Sequence, residues 1–320
     1  MNTVEEKRSL SLGRKAAKSK EWSWKKNRDL TLMVLPAIII LILFNYVPMG
    51  GIVLAFKNYR VDQGIFGSEW SGFKNFAFFF QSQDAFRITR NTVGLNLLFI
   101  FTVMVGAMYF AIMLSEITKK KWLKLYQTSM FIPYFLSMPV VALLVMAFLD
   151  VKLGMVNSLF EQMHIKPVQW YGDPKLWPVL LTLINFWKAI GYNTLILYAA
   201  LMGLDKSYYE AAEIDGATRW QVRFRITLPL LTPIVTIMII LQLGHVFYAD
   251  FGLFYLVTQD TGVLYPTTDV IDTYVFRSLR VVGDIGMASA VGLYQAVIGF
   301  MLVIGINWIV RKFNPDNALF

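Results

Sequence analysis

The chain contains no cysteine. Disulfides, thiolate nucleophiles and cysteine-based zinc sites are therefore excluded. Histidine is nearly as scarce, and His164 and His245 stand too far apart in sequence to form a local metal motif. Charge is sparse as well: Asp, Glu, Lys and Arg make up 16% of 320 residues, where a soluble domain carries about 25%. No GxxxxGK[S/T] run occurs, so the chain cannot build that phosphate cradle, and any nucleotide must bind elsewhere. Short-period repeats and low-complexity segments are missing too.

What the sequence has instead is apolar length. Hydrophobic residues make up 56% and the mean hydropathy is +0.52. Length alone would allow two soluble domains, but a bilayer core of about 30 Å needs about 20 helical residues. Six segments qualify, at roughly 30–56, 92–115, 125–149, 178–202, 230–258 and 288–310. The expected fold is an all-α membrane protein of six transmembrane helices. The first apolar run is too long for a signal-peptide core and no small-residue cleavage site follows it, so it should remain as an anchor.

The net charge of +9 is concentrated in the N-terminal tail, from Lys7 to Arg28. Beside an apolar run, such a tail reads as a topology signal and a contact for anionic lipid rather than a nucleic-acid site. No basic recognition module accompanies it. Lys119–Lys121 with Lys124, then Lys206, Arg219, Arg223 and Arg225, then Arg311–Lys312 mark further inner segments. Both termini are thus expected in the cytoplasm. The segment 57–90 is an exception rich in Lys and Arg, within which Arg87 and Arg90 are candidates to start an interfacial helix. Residues 1–28 form an expected disordered basic tail, and 29–320 the transmembrane domain, with an inner loop at 203–229.

That loop is the most informative stretch. Ser207 with Glu210 reads as a capping box, Ser207 at N-cap and Glu210 at N3. Ala211 and Ala212 favour helix. Gly216 suits the left-handed residue that ends a helix, and Asp215 precedes it where a carboxylate can accept from turn amides. A second amphipathic stretch follows, and Pro229 is expected to begin the next span. Physically this is either an ordinary capped loop or a compact knob that docks into another protein.

The run Glu210-Ala211-Ala212, Asp215-Gly216-Ala217 and Ile226-Thr227-Leu228-Pro229 resembles the EAA loop of bacterial ABC importer permeases. Arg223 departs from the pattern, standing where that loop is usually apolar, with Phe224 beside it. Tyr46–Gly50, Ala55–Tyr59, Gly72–Phe76, Asn91-Thr92, Phe131-Ile132-Pro133, Gly154 with Asn157, and Asp272–Val275 resemble the oligosaccharide and polysaccharide branch. The resemblance implies a type I importer permease fold in the bacterial cytoplasmic membrane. It also implies a second related permease, a cytoplasmic ATPase dimer that holds ATP and Mg, and an extracytoplasmic sugar-binding protein. The chain itself would bind no cofactor and catalyse nothing. The loop residues Glu210, Ala211, Ala212, Asp215, Gly216, Ala217, Leu228 and Pro229 would couple it to the ATPase.

Polar groups at membrane depth are costly and mark paths or helix contacts. Asn185, Lys188 and Tyr192 share one helical face by their i, i+3, i+7 spacing. Gln242 and His245 share another, with Tyr248 and Asp250 on neighbouring faces. Trp187, Phe247, Tyr255 and Tyr294 offer aromatic surface. Together these are candidates to line a carbohydrate path, although Lys188 and Asp250 can instead pair with each other. No nucleophile, metal cluster or second carboxylate accompanies them, which argues against an enzyme. Other readings are an ion-coupled carrier with His245, Asp250 and Lys188 as relay groups, an importer permease for a non-sugar solute, and a membrane docking protein.

Overall fold

A computed structural model describes residues 24–313. Most of the expected basic tail, up to position 23, lies outside these residues; Trp24 already opens a helix. Residues up to Ile52 form one unit and those from Val53 onward another. In the first, α1 (Trp24–Leu41) widens into a π turn at Ile42–Tyr46. From Leu32 to Phe44 its side chains are apolar on every face, and Met33 and Phe44 are exposed. A helix that is hydrophobic all round suits a bilayer.

The second unit starts with a short antiparallel hairpin, β1 (Lys57–Asn58) with β2 (Glu69–Trp70), Lys57 opposite Trp70. Helix α2 (Lys74–Gln81) leads into the long α3 (Gln83–Ser115). There follow α4 (Lys120–Phe135), α5 (Met138–Leu149), α6 (Met155–Gln162) and α7 (Trp177–Met202). The loop helices are α8 (Ser207–Ile214) and α9 (Arg219–Val222), and α10 (Leu228–Leu243) follows. After an irregular stretch come α11 (Ile271–Arg277) and α12 (Ile285–Phe313).

Helix α7 packs most extensively against α3 and then against α4. A Cβ at Gly191 would stand 1.9 Å from the Met130 carbonyl oxygen, so only glycine admits this approach of α7 to α4. Among the described residues, three apolar clusters fill the unit, one of them built around Met104, Ile190, Leu197 and Leu231 beneath the 203–229 loop.

Among the described residues, five helical segments are long and apolar enough to cross a membrane, and the bent pair α4–α5, counted as one span, makes a sixth. The six-span expectation holds, with three changes of shape. The span placed at 125–149 is broken, its halves bent by 100°. Pro133 weakens the end of α4 and Pro139 sits in the first turn of α5, where proline favours a start and not a continuation. The span placed at 230–258 also breaks: α10 stops at Leu243 and helical structure resumes only as a π turn at Gly252–Val257. The span placed at 92–115 begins earlier, at Gln83, so Arg87 and Arg90 lie inside α3 rather than in a separate interfacial helix. Arg87 can stay there because Asp84 at 2.7 Å and the buried Asp269 at 3.1 Å compensate its charge.

Candidate functional site

The loop between α7 and α10 builds itself from local bonds. Ser207 is the first residue of α8 and not its cap; its N–H donates to Asp205 Oδ1 at 2.9 Å. The expected Ser207–Glu210 capping box is therefore not formed, because Asp205 already satisfies the helix start. The box lies one helix later. Thr218 N–H donates to Gln221 Oε1 at 2.7 Å, and Gln221 N–H to Thr218 Oγ1 at 3.4 Å. Gly216 takes a φ of +70°, the left-handed stop anticipated from its position. Ala217 N–H returns to the Ala212 carbonyl at 2.9 Å, closing the turn.

This geometry sorts the loop residues. Ala212 is buried and Ala217 half-buried, while Glu210, Ala211, Asp215 and Gly216 are exposed. Ile214 stands 87% exposed at the tip. Leu228 and Pro229 do not start a new element: α9 runs through a π turn at Arg223–Thr227 directly into α10. The loop's second helix and the next span are one continuous rod. Behind the loop an open cleft of about 610 Å³ is lined by Glu116, Leu201, Tyr209, Arg219, Arg223 and Thr227. Across it Arg223 Nε and Nη2 donate to the two oxygens of Glu116, each at 2.6 Å. The Arg223 bond holds the Glu116 carboxyl below its ordinary range.

The second constellation gathers at the two helix breaks. They are neighbours, since α5 packs on the Gly252–Val257 turn and Met138 closes against Gly252. A broken helix leaves main-chain groups unpaired, which apolar surroundings penalise heavily. Lys188 Nζ donates to the carbonyls of Tyr134 at 3.2 Å and Leu136 at 2.5 Å, at the end of α4. Cations suit that end of a helix. Tyr192 stacks on Tyr134 at 4.8 Å, 10° from parallel, with Phe131 behind them at 6.5 Å from Tyr192. Tyr134 and Tyr192 are 43% and 42% exposed, so this platform presents accessible ring surface. Asn185 is half-buried on the same helix.

The break after α10 is held from three other helices. Asn96 of α3 donates to the carbonyls of Val246 at 2.8 Å and Tyr248 at 3.1 Å. Gln295 of α12 donates to the Phe247 carbonyl at 2.6 Å. Asp272 of α11 accepts from Ala249 N–H at 2.8 Å and from Gln295 at 3.2 Å. The segment so fixed carries His245, Tyr248 and Asp250, all exposed. Gln242 reaches Asn193 Oδ1 at 3.5 Å.

Two sequence expectations change here. Asp250 and Lys188 do not serve each other: Asp250 Oδ1 accepts from Leu253 N–H at 3.1 Å, while Lys188 caps α4. Phe247 and Tyr294 are core rings and not open surface. Phe247 is buried, and Tyr294 packs on Phe79 and Phe80. Sequence reasoning passed over Asn96, Gln295 and Tyr134, and saw Asp272 only within a motif. Asn96 and Gln295 are amides inside apolar runs, the same signal that singled out Asn185 and Gln242.

The fold and these two constellations define a class: a multi-pass helical membrane protein with a pre-formed helical loop at one end and broken helices within. The chain belongs to the family of binding-protein-dependent transport system inner membrane components, whose model matches residues 103–315. It is 32% identical to Protein LplB of Bacillus subtilis (strain 168), covering 99% of each chain. It is 33% identical to the polygalacturonan/rhamnogalacturonan transport system permease protein YteP of the same strain, covering 91% of this chain and 90% of that one. Among solved structures it is similar to a bacterial alginate ABC transporter in complex with an alginate pentasaccharide-bound periplasmic protein. There the TM-score is 0.82 at 32% identity, over 91% of this chain and 96% of the other. The chain is thus an inner-membrane permease subunit of an ABC importer and not an enzyme. Its family places ATP hydrolysis on a separate subunit and sets aside the ion-coupled carrier.

Proposed function

We propose that this permease passes an oligosaccharide or a polysaccharide fragment, as one of two related permeases around a shared path. A cytoplasmic ATPase dimer holds ATP and Mg, and an extracytoplasmic sugar-binding protein delivers the substrate. Both termini and the 203–229 loop lie on the cytoplasmic side, behind the basic tail of residues 1–28, with residues 29–320 as the transmembrane domain.

The observation that carries this reading is the loop. Its main chain is satisfied internally by the Gly216 turn and the Thr218–Gln221 box, while Ile214, Tyr208 and Trp220 stay exposed. A rigid knob with an apolar tip suits a groove on the ATPase, with Glu210, Ala211, Asp215 and Gly216 on the contact surface. Ala212, Ala217, Leu228 and Pro229 hold the knob to α10. Closure of the ATPase dimer on ATP then drives a hinge-type switch of the spans.

The sugar assignment draws on the relatives and on the exposed Tyr134–Tyr192 platform beside Lys188, Asn185, Gln242, His245, Tyr248 and Asp250. Flat rings offer stacking surface, and the polar groups offer hydrogen bonds to hydroxyls. Relatives that are sn-glycerol-3-phosphate permeases match less closely, at 28% identity over 88% of this chain, which favours the carbohydrate branch. The test is copurification. The full chain should bring down a soluble ATPase, and Glu210→Arg should lose it while the variant keeps its thermal stability. An ATPase retained at wild-type yield by Glu210→Arg would refute docking through the loop.

A further inference from the structure

Arg223 opens the π turn that joins the loop to α10, and it finds its partner on a distant helix. Its guanidinium meets the Glu116 carboxylate with two bonds of 2.6 Å, across 107 positions of sequence. The same guanidinium lies over the Trp220 ring at 5.1 Å, and Trp220 stacks on Phe224 at 5.6 Å and 11° from parallel. Bidentate arginine–carboxylate pairs fix orientation as well as distance. Glu116 is the C-cap of α3, the helix most extensively packed on α7.

Without this contact the loop has two covalent anchors: the chain from α7 into α8, and the continuous rod from α9 into α10. Two anchors leave a hinge axis through them, about which a loop can rock without moving α3. The Glu116–Arg223 pair adds a third, non-covalent attachment that ties the end of α3 to the base of the loop. We infer that Glu116 and Arg223 are positioning residues for energy coupling, a clasp that binds the 203–229 loop to the end of α3. A displacement imposed on the loop is then passed to α3, α7 and α10 together. Tyr209 OH and Thr227 Oγ1, 3.4 Å apart, tie α8 to the base of α10 within the same cleft. The π turn places Arg223 where the rod bulges, and such turns recur at functional positions.

The inference rests on the loop being the point of ATPase attachment, and its test separates the two. Because the chain has no cysteine, spin labels at Met113→Cys on α3 and Arg225→Cys in the π turn report only this pair, provided the partner subunits are also made cysteine-free. In the assembled transporter the label separation should change by less than about 2 Å between the nucleotide-free and the ATP–vanadate states, the scale of rigid-body adjustments. With Glu116→Gln the distribution should broaden at least about twofold on ATP–vanadate trapping. The exchange Glu116→Arg with Arg223→Glu should restore the narrow distribution. A wild-type change of about 5 Å or more, a Glu116→Gln distribution as narrow as wild type, or no recovery in the exchange would each overturn the clasp. ATPase copurification with Glu210→Arg is scored separately. Its persistence refutes the loop as docking element and leaves the clasp result standing.

Discussion

The loop from Ser207 to Pro229 and the pair of helix breaks face the same problem, main-chain groups left without helical partners, and solve it with different parts. The loop uses neighbours: Asp205 for Ser207, Gln221 for Thr218, Ala212 for Ala217. The breaks use strangers. Asn96, Asp272 and Gln295 reach the segment 246–249 from three helices, and Lys188 reaches the end of α4 from 52 and 54 positions away. The difference follows from solvent. At the water-facing end an unsatisfied amide can fall back on water, so short-range capping suffices. At membrane depth no such reserve exists, and the polar side chains must be brought in on other spans.

This contrast predicts that single substitutions at the breaks are costlier than those in the loop. The largest effect is expected for Asp272→Leu, which leaves the Ala249 amide without an acceptor and strips Gln295 of a partner. A loss of about 3 kcal/mol follows from two unsatisfied groups, read as a marked fall in Tm in detergent. Asp272→Asn should recover most of it, since one amide oxygen still serves Ala249. Next is Lys188→Met, which uncaps α4 at two carbonyls and should cost about 2 kcal/mol. An equal cost for its exposed loop counterpart Lys206→Met would break the comparison.

In the loop, Thr218→Ala should cost about 1 kcal/mol, the ordinary worth of such a cap, and Gly216→Val about 1–2 kcal/mol for a β-branched residue forced to positive φ. Both should lower coupling before they lower thermal stability. The smallest effect is that of pH on the clasp. The Glu116 carboxyl is held below its ordinary 4.5, chiefly by the Arg223 bond, with Arg219 contributing. A depressed carboxyl stabilises above its ordinary pKa, and the stabilisation fades as pH falls through the lowered value. The label separation between α3 and the π turn should therefore stay flat from neutrality to about pH 5 and broaden only below the ordinary carboxylate range.

The same contrast explains what could be read from the sequence. The loop is contiguous, so its helix and its glycine stop at Gly216 are visible in 23 letters, and the misplacement of the capping box by one helix is a local error. The spans are visible as apolar length. The breaks are not, because hydropathy runs straight through them. Pro133 and Pro139 mark the first, but Gly244 through Phe251 contain no proline, and the polar His245 and Asp250 there read as path residues rather than as a break. Asn96 and Gln295 sit in uninterrupted apolar runs, and their partners lie 150 and 48 positions away. Such pairings depend on which spans adjoin, which is a property of packing and not of any window of sequence.

The central claim is that a separate ATPase drives this permease through the 203–229 loop. It is tested most directly by ATP-driven uptake into proteoliposomes holding the assembled transporter, with defined alginate and polygalacturonan oligosaccharides as probes. Wild type should accumulate at least one of them in an ATP-dependent manner. The Glu210→Arg variant, with its stability unchanged, should fall at least about tenfold, the ratio that roughly 1.4 kcal/mol of lost coupling produces. Uptake by Glu210→Arg at the wild-type rate, or accumulation by this chain alone without an ATPase, would contradict the account.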